Sequence, residues 1–199
     1  MNPWDERFEG TEFAYGTEPS RWLVECAGGI PAGLPVLALG EGEGRNGVWL
    51  AGRGLEVHAV DGSAVGLAKA SRLAASRGVS LHTTVADLAA WDPGPVRYGA
   101  VVLVFVHLPP PLRTRVHGLA ASALAPGGVV ILESFTPRQL AFSSGGPRQL
   151  DMLYEPATIA GDFPGVTWAM LAEGEAVLDE GPLHQGRAAL LRGLGRKGP

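Results

Sequence analysis

Cysteine is almost absent: Cys26 is the one thiol in 199 residues, so no internal disulfide can form and the clustered Cys and His ligands of a four-coordinate zinc site are missing. A reducing compartment follows, and no metal site is expected; His58, His82 and His117 stand at no metal-ligand spacing and read as structural. Basic charge is scarce too. Lys and Arg number 16 against 20 Asp and Glu, a formal net charge of -4 with no basic block, which argues against a nucleic-acid partner. Long hydrophobic runs are missing: the longest, Ala100 to Val106, falls far short of the ~18 residues of a membrane span. The opening Met1–Phe8 lacks the basic-then-apolar order of a signal peptide. The expectation is a cytoplasmic protein with no membrane partner.

Glycine and proline are what the chain has in plenty, 29 and 16 residues, together just under the roughly 25–30% that suggests low complexity. With 46% hydrophobic residues between them, the length fits one folded domain. Residues 18 to 27 read as a short helix with Pro19 in its first turn. Val36–Leu39 reads as a strand, Gly40–Gly44 as a glycine loop, and Arg45 to Arg53 as a helix. The alternation continues with a strand at 56–60, a helix capped by Ser63 and running to Ser76, strands at 79–83 and 100–106, a helix at 110–123, the turn Pro126–Gly128 and a strand at 129–135. These strands read as buried on both faces, so the chain is α/β with a Rossmann-like, doubly wound, mostly parallel sheet. After a Gly/Ser/Pro-rich loop at 136–147 and a short helix at 156–161, two strands at 167–179 and 185–192 have no helix between them, which makes them an antiparallel hairpin.

In such a sheet a ligand sits at the carboxyl ends of the strands. Gly40, Gly42 and Gly44 are there, and Gly42–Gly47 also fits G-x-G-x-x-G, so a nicotinamide dinucleotide is one reading and a tight turn without ligand another. Glu41 and Glu43 weigh against a pyrophosphate: a carboxylate ~4 Å from a phosphate charge costs about 4 kcal/mol at an effective dielectric near 20, unless the side chains point away. They suit instead the sulfonium and ammonium of S-adenosylmethionine. Asp61, ending the second strand, is placed for a ribose diol, and Asp87 for an adenine amino group; the alternatives are a helix-start acid and a turn residue.

Val36–Asn46 (VLALGEGEGRN), Val57–Ser63 (VHAVDGS), Ala86-Asp87, Phe105–Pro110 (FVHLPP) and Leu124–Glu133 (LAPGGVVILE) together resemble a class I S-adenosylmethionine-dependent methyltransferase. Trp4–Phe8 and Tyr15–Ser20 are similar to the N-terminal lid of the TehB-like (tellurite resistance) and thiopurine-methyltransferase-like group. The resemblance implies a seven-stranded sheet, S-adenosyl-L-methionine as cofactor and S-adenosylhomocysteine as product. It divides the one domain into a lid and helix (1–30), a cofactor-binding core (35–135) and an acceptor-side loop and hairpin (136–199). Implied cofactor contacts are Tyr15, Gly40, Glu41, Gly42, Gly44, Arg45, Asp61, Gly62, Ser63, Ala86, Asp87, Leu88 and Phe105. The family's acid two positions before the first motif glycine is Ala38 here, so Glu41 or backbone carbonyls are left to hold the methionine ammonium.

For the chemistry the candidates are His107 as base or acceptor-positioning donor, and His184 with Arg187 in a segment resembling the group's substrate-binding His and Arg; Arg7 and Arg148 are further lid and loop candidates. Their bland alternatives are a loop-carbonyl hydrogen bond for His107 and a solvated strand position for Arg187. The expected acceptor is a small molecule, a chalcogen oxyanion such as tellurite or selenite, or a thiol, with the protein a monomer or homodimer. The competing functions are an NAD(P)-dependent oxidoreductase and a noncatalytic S-adenosylmethionine-binding regulator.

Overall fold

Val36–Leu39 is buried at every position and forms β1 at the middle of the sheet, between two parallel partners, β2 (Val57–Asp61) and β4 (Tyr98–Val104). Alternation along β1 and β4 builds the core on both faces at once. Leu37, Leu39, Val101 and Leu103 pack toward Val116, Ala120, Tyr154, Ile159 and Phe163, while Val36, Ala38, Ala100 and Val102 pack toward Trp22, Leu23 and Leu50. Beyond β2 lies β3 (His82–Val85), and beyond β4 lies β5 (Leu124–Phe135), both parallel to their neighbours. The long strands β6 (Val166–Asp179) and β7 (Gln185–Lys197) complete a seven-stranded sheet of order β3-β2-β1-β4-β5-β7-β6, with β7 antiparallel to both β5 and β6. The expected mostly parallel sheet with a C-terminal antiparallel hairpin is therefore what the computed structural model, which describes residues 2–199, contains.

Among the described residues, six α-helices surround it: α1 (Pro3–Phe8), α2 (Arg21–Cys26), α3 (Arg45–Gly52), α4 (Ala64–Ser76), α5 (Pro110–Ala123) and α6 (Pro156–Asp162). Ser63 caps α4 as read from sequence, accepting from Gly66 N–H at 2.9 Å. Several boundaries differ for local reasons. Ser20 is the cap of α2, accepting from Leu23 N–H, so the helix starts at Arg21 and Pro19 lies outside it. β3 starts at His82 and is exposed along its whole length, because it is a sheet edge and not a strand covered on both faces. β4 ends at Val104, where Phe105 takes φ +57°. β5 begins at Leu124, with the Pro126–Gly128 turn absorbed as an irregularity in its pairing with β4. α1, six residues capped by Asn2, was not expected from periodicity because it is under two turns long.

The strand order reverses between β1 and β4. The crevice outside their carboxyl ends is where this architecture binds ligands.

Candidate active site

A cavity of about 710 Å³ opens at that crevice, within the roughly 300–1,000 Å³ of small-molecule sites. Its floor is the glycine loop between β1 and α3. Asp61, at the end of β2, ties the loop down: its carboxylate accepts from Gly42 N–H and from Ser63 N–H, each at 2.7 Å. Burial pushes the Asp61 carboxyl up, and these two bonds oppose that. Gly44 is required by close packing as well as by its φ of +95°, since a Cβ there would sit 2.6 Å from the Ala70 Cβ.

The two loop glutamates do not present free charge to the cavity. Glu41 accepts from Gly47 N–H at 2.6 Å, and burial pushes its carboxyl up to about 7. Glu43 is held 2.5 Å from the Lys69 Nζ and accepts from Ala14 N–H. The electrostatic argument against a pyrophosphate, which assumed side chains facing the ligand, therefore does not apply. Arg45 is buried; one guanidinium nitrogen lies 3.0 Å from Glu180 Oε2, while Nη1 has no hydrogen-bond partner.

Gly62, Ala86, Asp87 and Leu88 continue the wall at the ends of β2 and β3. Asp87 is exposed, with Oδ1 accepting from Ala89 N–H in a turn. Gly44 and Ser63 stay behind the wall, where Gly44 packs on α4 and Ser63 caps it. The roof is α1: Asn2 donates to the Gly62 carbonyl, Asp5 accepts from the Ser63 hydroxyl at 2.6 Å, and Trp4, Arg7 and Phe8 line the cavity. Tyr15 also lines it, its hydroxyl accepting from Arg7 at 2.9 Å. The segment carrying Tyr15 is pinned to the turn between β6 and β7, where Leu183 N–H donates to the Ala14 carbonyl. Asn2 as a cap followed by Pro3 and the acids Asp5 and Glu6 is a helix-start signal that sequence reasoning could have used.

Phe105 holds a backbone conformation rare for a bulky residue, a strain of order 1–3 kcal/mol. The result is a ring set against Phe135 at 4.7 Å and His184 at 4.5 Å, with the Arg45 guanidinium 5.9 Å away. The three catalytic candidates separate here. His107 lines the cavity, but both ring nitrogens are engaged by backbone: Nδ1–H donates to the Met152 carbonyl at 2.6 Å and Nε2 accepts from Phe135 N–H at 3.2 Å. Desolvation lowers its pKa to about 4, so it is a neutral clamp with no free nitrogen for base work. Arg187 does not reach the cavity at all. Its side chain is 69% exposed, pairs with Glu175 at 2.7 Å and covers Phe142, so the expected convergence of His107, His184 and Arg187 does not form. Arg148 likewise lies outside, bonded to loop carbonyls.

His184 is buried in the cavity wall, its ring 4.5 Å from Tyr15 and 5.4 Å from Phe135. Nδ1 lies 3.5 Å from Glu180 Oε2, the same oxygen that Arg45 holds. Burial lowers the His184 pKa, opposed by Glu180. Sequence reasoning missed Glu180, whose role depends on the hairpin turn folding it back beside His184.

Residues 36–128, which contain the glycine loop, Asp61, Asp87 and His107, match the family model described as a methyltransferase domain. The matched segment, just under half of the chain, is similar to that domain. The match speaks for methyl transfer from S-adenosylmethionine and against the oxidoreductase reading. No curated protein matches the sequence. Among solved structures, the fold is similar to one described under conversion of a disulfide bond into a thioacetal group during echinomycin biosynthesis (18% identity, 98% of this chain and 88% of that one, TM-score 0.74). It is also similar to the N-methyltransferase NodS from Bradyrhizobium japonicum WM9 (13%, 100% and 98%, TM-score 0.68) and to TehB from Haemophilus influenzae (15%, 98% and 65%, TM-score 0.70). At these identities the likeness is one of fold. No helix among the described residues is long and apolar enough to cross a membrane.

Proposed function

We propose that the whole chain is one cytoplasmic enzyme that methylates a small thiol, with His184 taking the acceptor's proton. The observation that carries this reading is the arrangement Arg45–Glu180–His184. His184 stands in the cavity wall with Glu180 behind Nδ1, and no described group hydrogen-bonds its Nε2. A carboxylate this close to an imidazole supports the charge the ring acquires on taking a proton. An ordinary thiol, with a pKa near 8.5, is within reach of so weak a base. The apolar wall of Phe105, Leu108, Leu112, Phe135 and Met152 excludes water from the reacting atoms and suits a neutral acceptor.

The residues present fit the cofactor. Asp61 spends one bond per carboxylate oxygen on the loop, leaving lone pairs for ribose hydroxyls, and the free oxygen of Asp87 can accept from an adenine amino group. The orphaned Nη1 of buried Arg45 is a donor in want of an anion, which the methionine carboxylate provides. With Glu41 committed to Gly47, the methionine ammonium is left to backbone carbonyls of the glycine loop, in place of the acid that Ala38 replaces. Bound S-adenosylmethionine supplies a methyl group activated by a sulfonium. The protein then orients the acceptor, keeps the site dry and receives one proton at His184.

A chalcogen oxyanion acceptor, and with it placement in the TehB-like and thiopurine-methyltransferase-like group, is the second reading. It is favoured by Arg7, a cavity-lining guanidinium whose one side-chain hydrogen-bond partner among the described residues is the Tyr15 hydroxyl. The test is methyl transfer to a panel of small thiols, tellurite and selenite by wild type and His184→Gln. Thiol turnover that falls at least tenfold in the variant, with unchanged S-adenosylmethionine affinity, supports the proposal. Turnover confined to the oxyanions, or indifferent to His184, rejects it. Binding without turnover on any acceptor favours the noncatalytic alternative.

A further inference from the structure

At the end of the sheet away from the cleft, three polar side chains meet that methyl transfer does not use. β2 and β3 run parallel with His58 paired to His82, and Glu56 precedes His58 by two residues, so strand alternation brings all three to one face. Linear spacing does not reveal the pair; strand register creates it. Glu56 Oε1 lies 2.9 Å from His58 Nε2 and 3.8 Å from His82 Nε2, and one ligand atom from each residue falls within 4.8 Å of the others. Tetrahedral zinc, with bonds near 2.0–2.1 Å, needs its ligand atoms about 3.3–3.4 Å apart. The observed separations bracket that value. Glu56 and His82, with side chains 56% and 70% exposed, are free to close the remainder.

The protein side of the cluster is built as well. His58 Nδ1 is 3.1 Å from the hydroxyl of buried Tyr98, whose ring stands edge-on to the imidazole. When a metal ion takes the place of the proton that Nε2 directs at Glu56, Nδ1–H donates to the Tyr98 hydroxyl oxygen, the outer-partner arrangement that orients metal-bound histidines. Two imidazoles and one carboxylate suit Zn²⁺ and its transition-metal neighbours rather than Mg²⁺ or Ca²⁺.

We propose that Glu56, His58 and His82 bind one divalent transition-metal ion, Zn²⁺ foremost, with water completing the shell, and that the ion staples edge strand β3 to β2. β3 has four exposed residues and no partner on its outer side, and it runs directly into Ala86–Leu88 of the cavity wall. Holding β3 in register steadies that wall.

The test titrates tag-free, chelator-treated protein with Zn²⁺ in a calorimeter and follows amide exchange with and without the ion. One equivalent should bind with a dissociation constant of about 10 µM or tighter, and the amides of residues 82–85 should exchange more slowly. His82→Ala and Glu56→Gln, both at exposed positions outside the cleft, should each weaken binding at least tenfold with circular dichroism and S-adenosylmethionine affinity unchanged. His107 and His117 are hydrogen-bonded within the protein and His184 is buried, so no other described histidine offers an open surface ligand. Absence of saturable binding overturns the site, as does binding that both variants leave intact. Binding without slower exchange in β3 overturns the stapling role.

Discussion

As pH falls from 7.5 to 5, His107 should contribute a measurable loss of stability. Its ring is neutral in the fold, joining Met152 on one side to Phe135 on the other, with a pKa near 4 against the ordinary 6.5. Because the folded value is depressed, the contribution is whole above pH 6.5 and is lost as pH falls toward 4, a window in which the unfolded chain takes up the proton and the folded chain does not. At 1.36 kcal/mol per unit, the loss is about 2 kcal/mol at pH 5 and about 3 kcal/mol at pH 4. Urea unfolding followed by tryptophan fluorescence at pH 7.5 and pH 5 measures it, with His107→Gln as control. The variant should start less stable by about 1–3 kcal/mol because its backbone partners lose good geometry. Its additional loss on going to pH 5 should be smaller than wild type's by about 2 kcal/mol. His117 and His184 are also lowered by burial, which is why the difference between the two proteins isolates His107. Equal pH dependence in both would refute the neutral clamp and return His107 to the list of candidate bases.

Asp61→Asn should lower S-adenosylmethionine affinity by about 1.5–3 kcal/mol in calorimetry, through loss of charge-assisted bonds to the ribose; a fall in melting temperature alone would confine Asp61 to holding Gly42 and Ser63. Arg187→Ala should leave turnover of every acceptor unchanged and stability within about 0.5 kcal/mol, since its partner Glu175 is also at the surface. A loss of oxyanion turnover would bring Arg187 back into the site. The acid limb of kcat/KM should lie below pH 6.5, because burial lowers the His184 pKa and the ring must be neutral to accept a proton. Abolition of that limb in His184→Gln is the check.

The parallel core was readable because its signals are local. Val36–Leu39 and Ala100–Leu103 are apolar at every position, Ser63 caps α4, and α5 spans the residues its periodicity indicated. The edge strand β3 was misread as buried because a short run such as Val79–Thr83 carries no mark of how many neighbours it will have. In the site, the glycine loop, Asp61 and Asp87 could be named from sequence because each follows a strand, and His184 from the resemblance of its segment. The direction of a side chain could not. Glu41 and Glu43 look like free acids in one dimension and prove to be bonded to Gly47, Lys69 and Ala14. Arg187 sits only three residues from His184, yet His184 belongs to the turn before β7 while Arg187 lies on the strand with its side chain exposed. Glu180 and α1 depended on long-range closure: the hairpin turn meeting Ala14, and Asn2 meeting Gly62.

The most direct test is a crystal structure with S-adenosylhomocysteine and a thiol acceptor. It should place the ribose on Asp61, the homocysteine carboxylate at Arg45 and the sulfur lined up with the thiol beside His184 Nε2. A ligand lodged elsewhere, or a sulfur turned away from His184 with Arg45 Nη1 still unpartnered, would contradict the account.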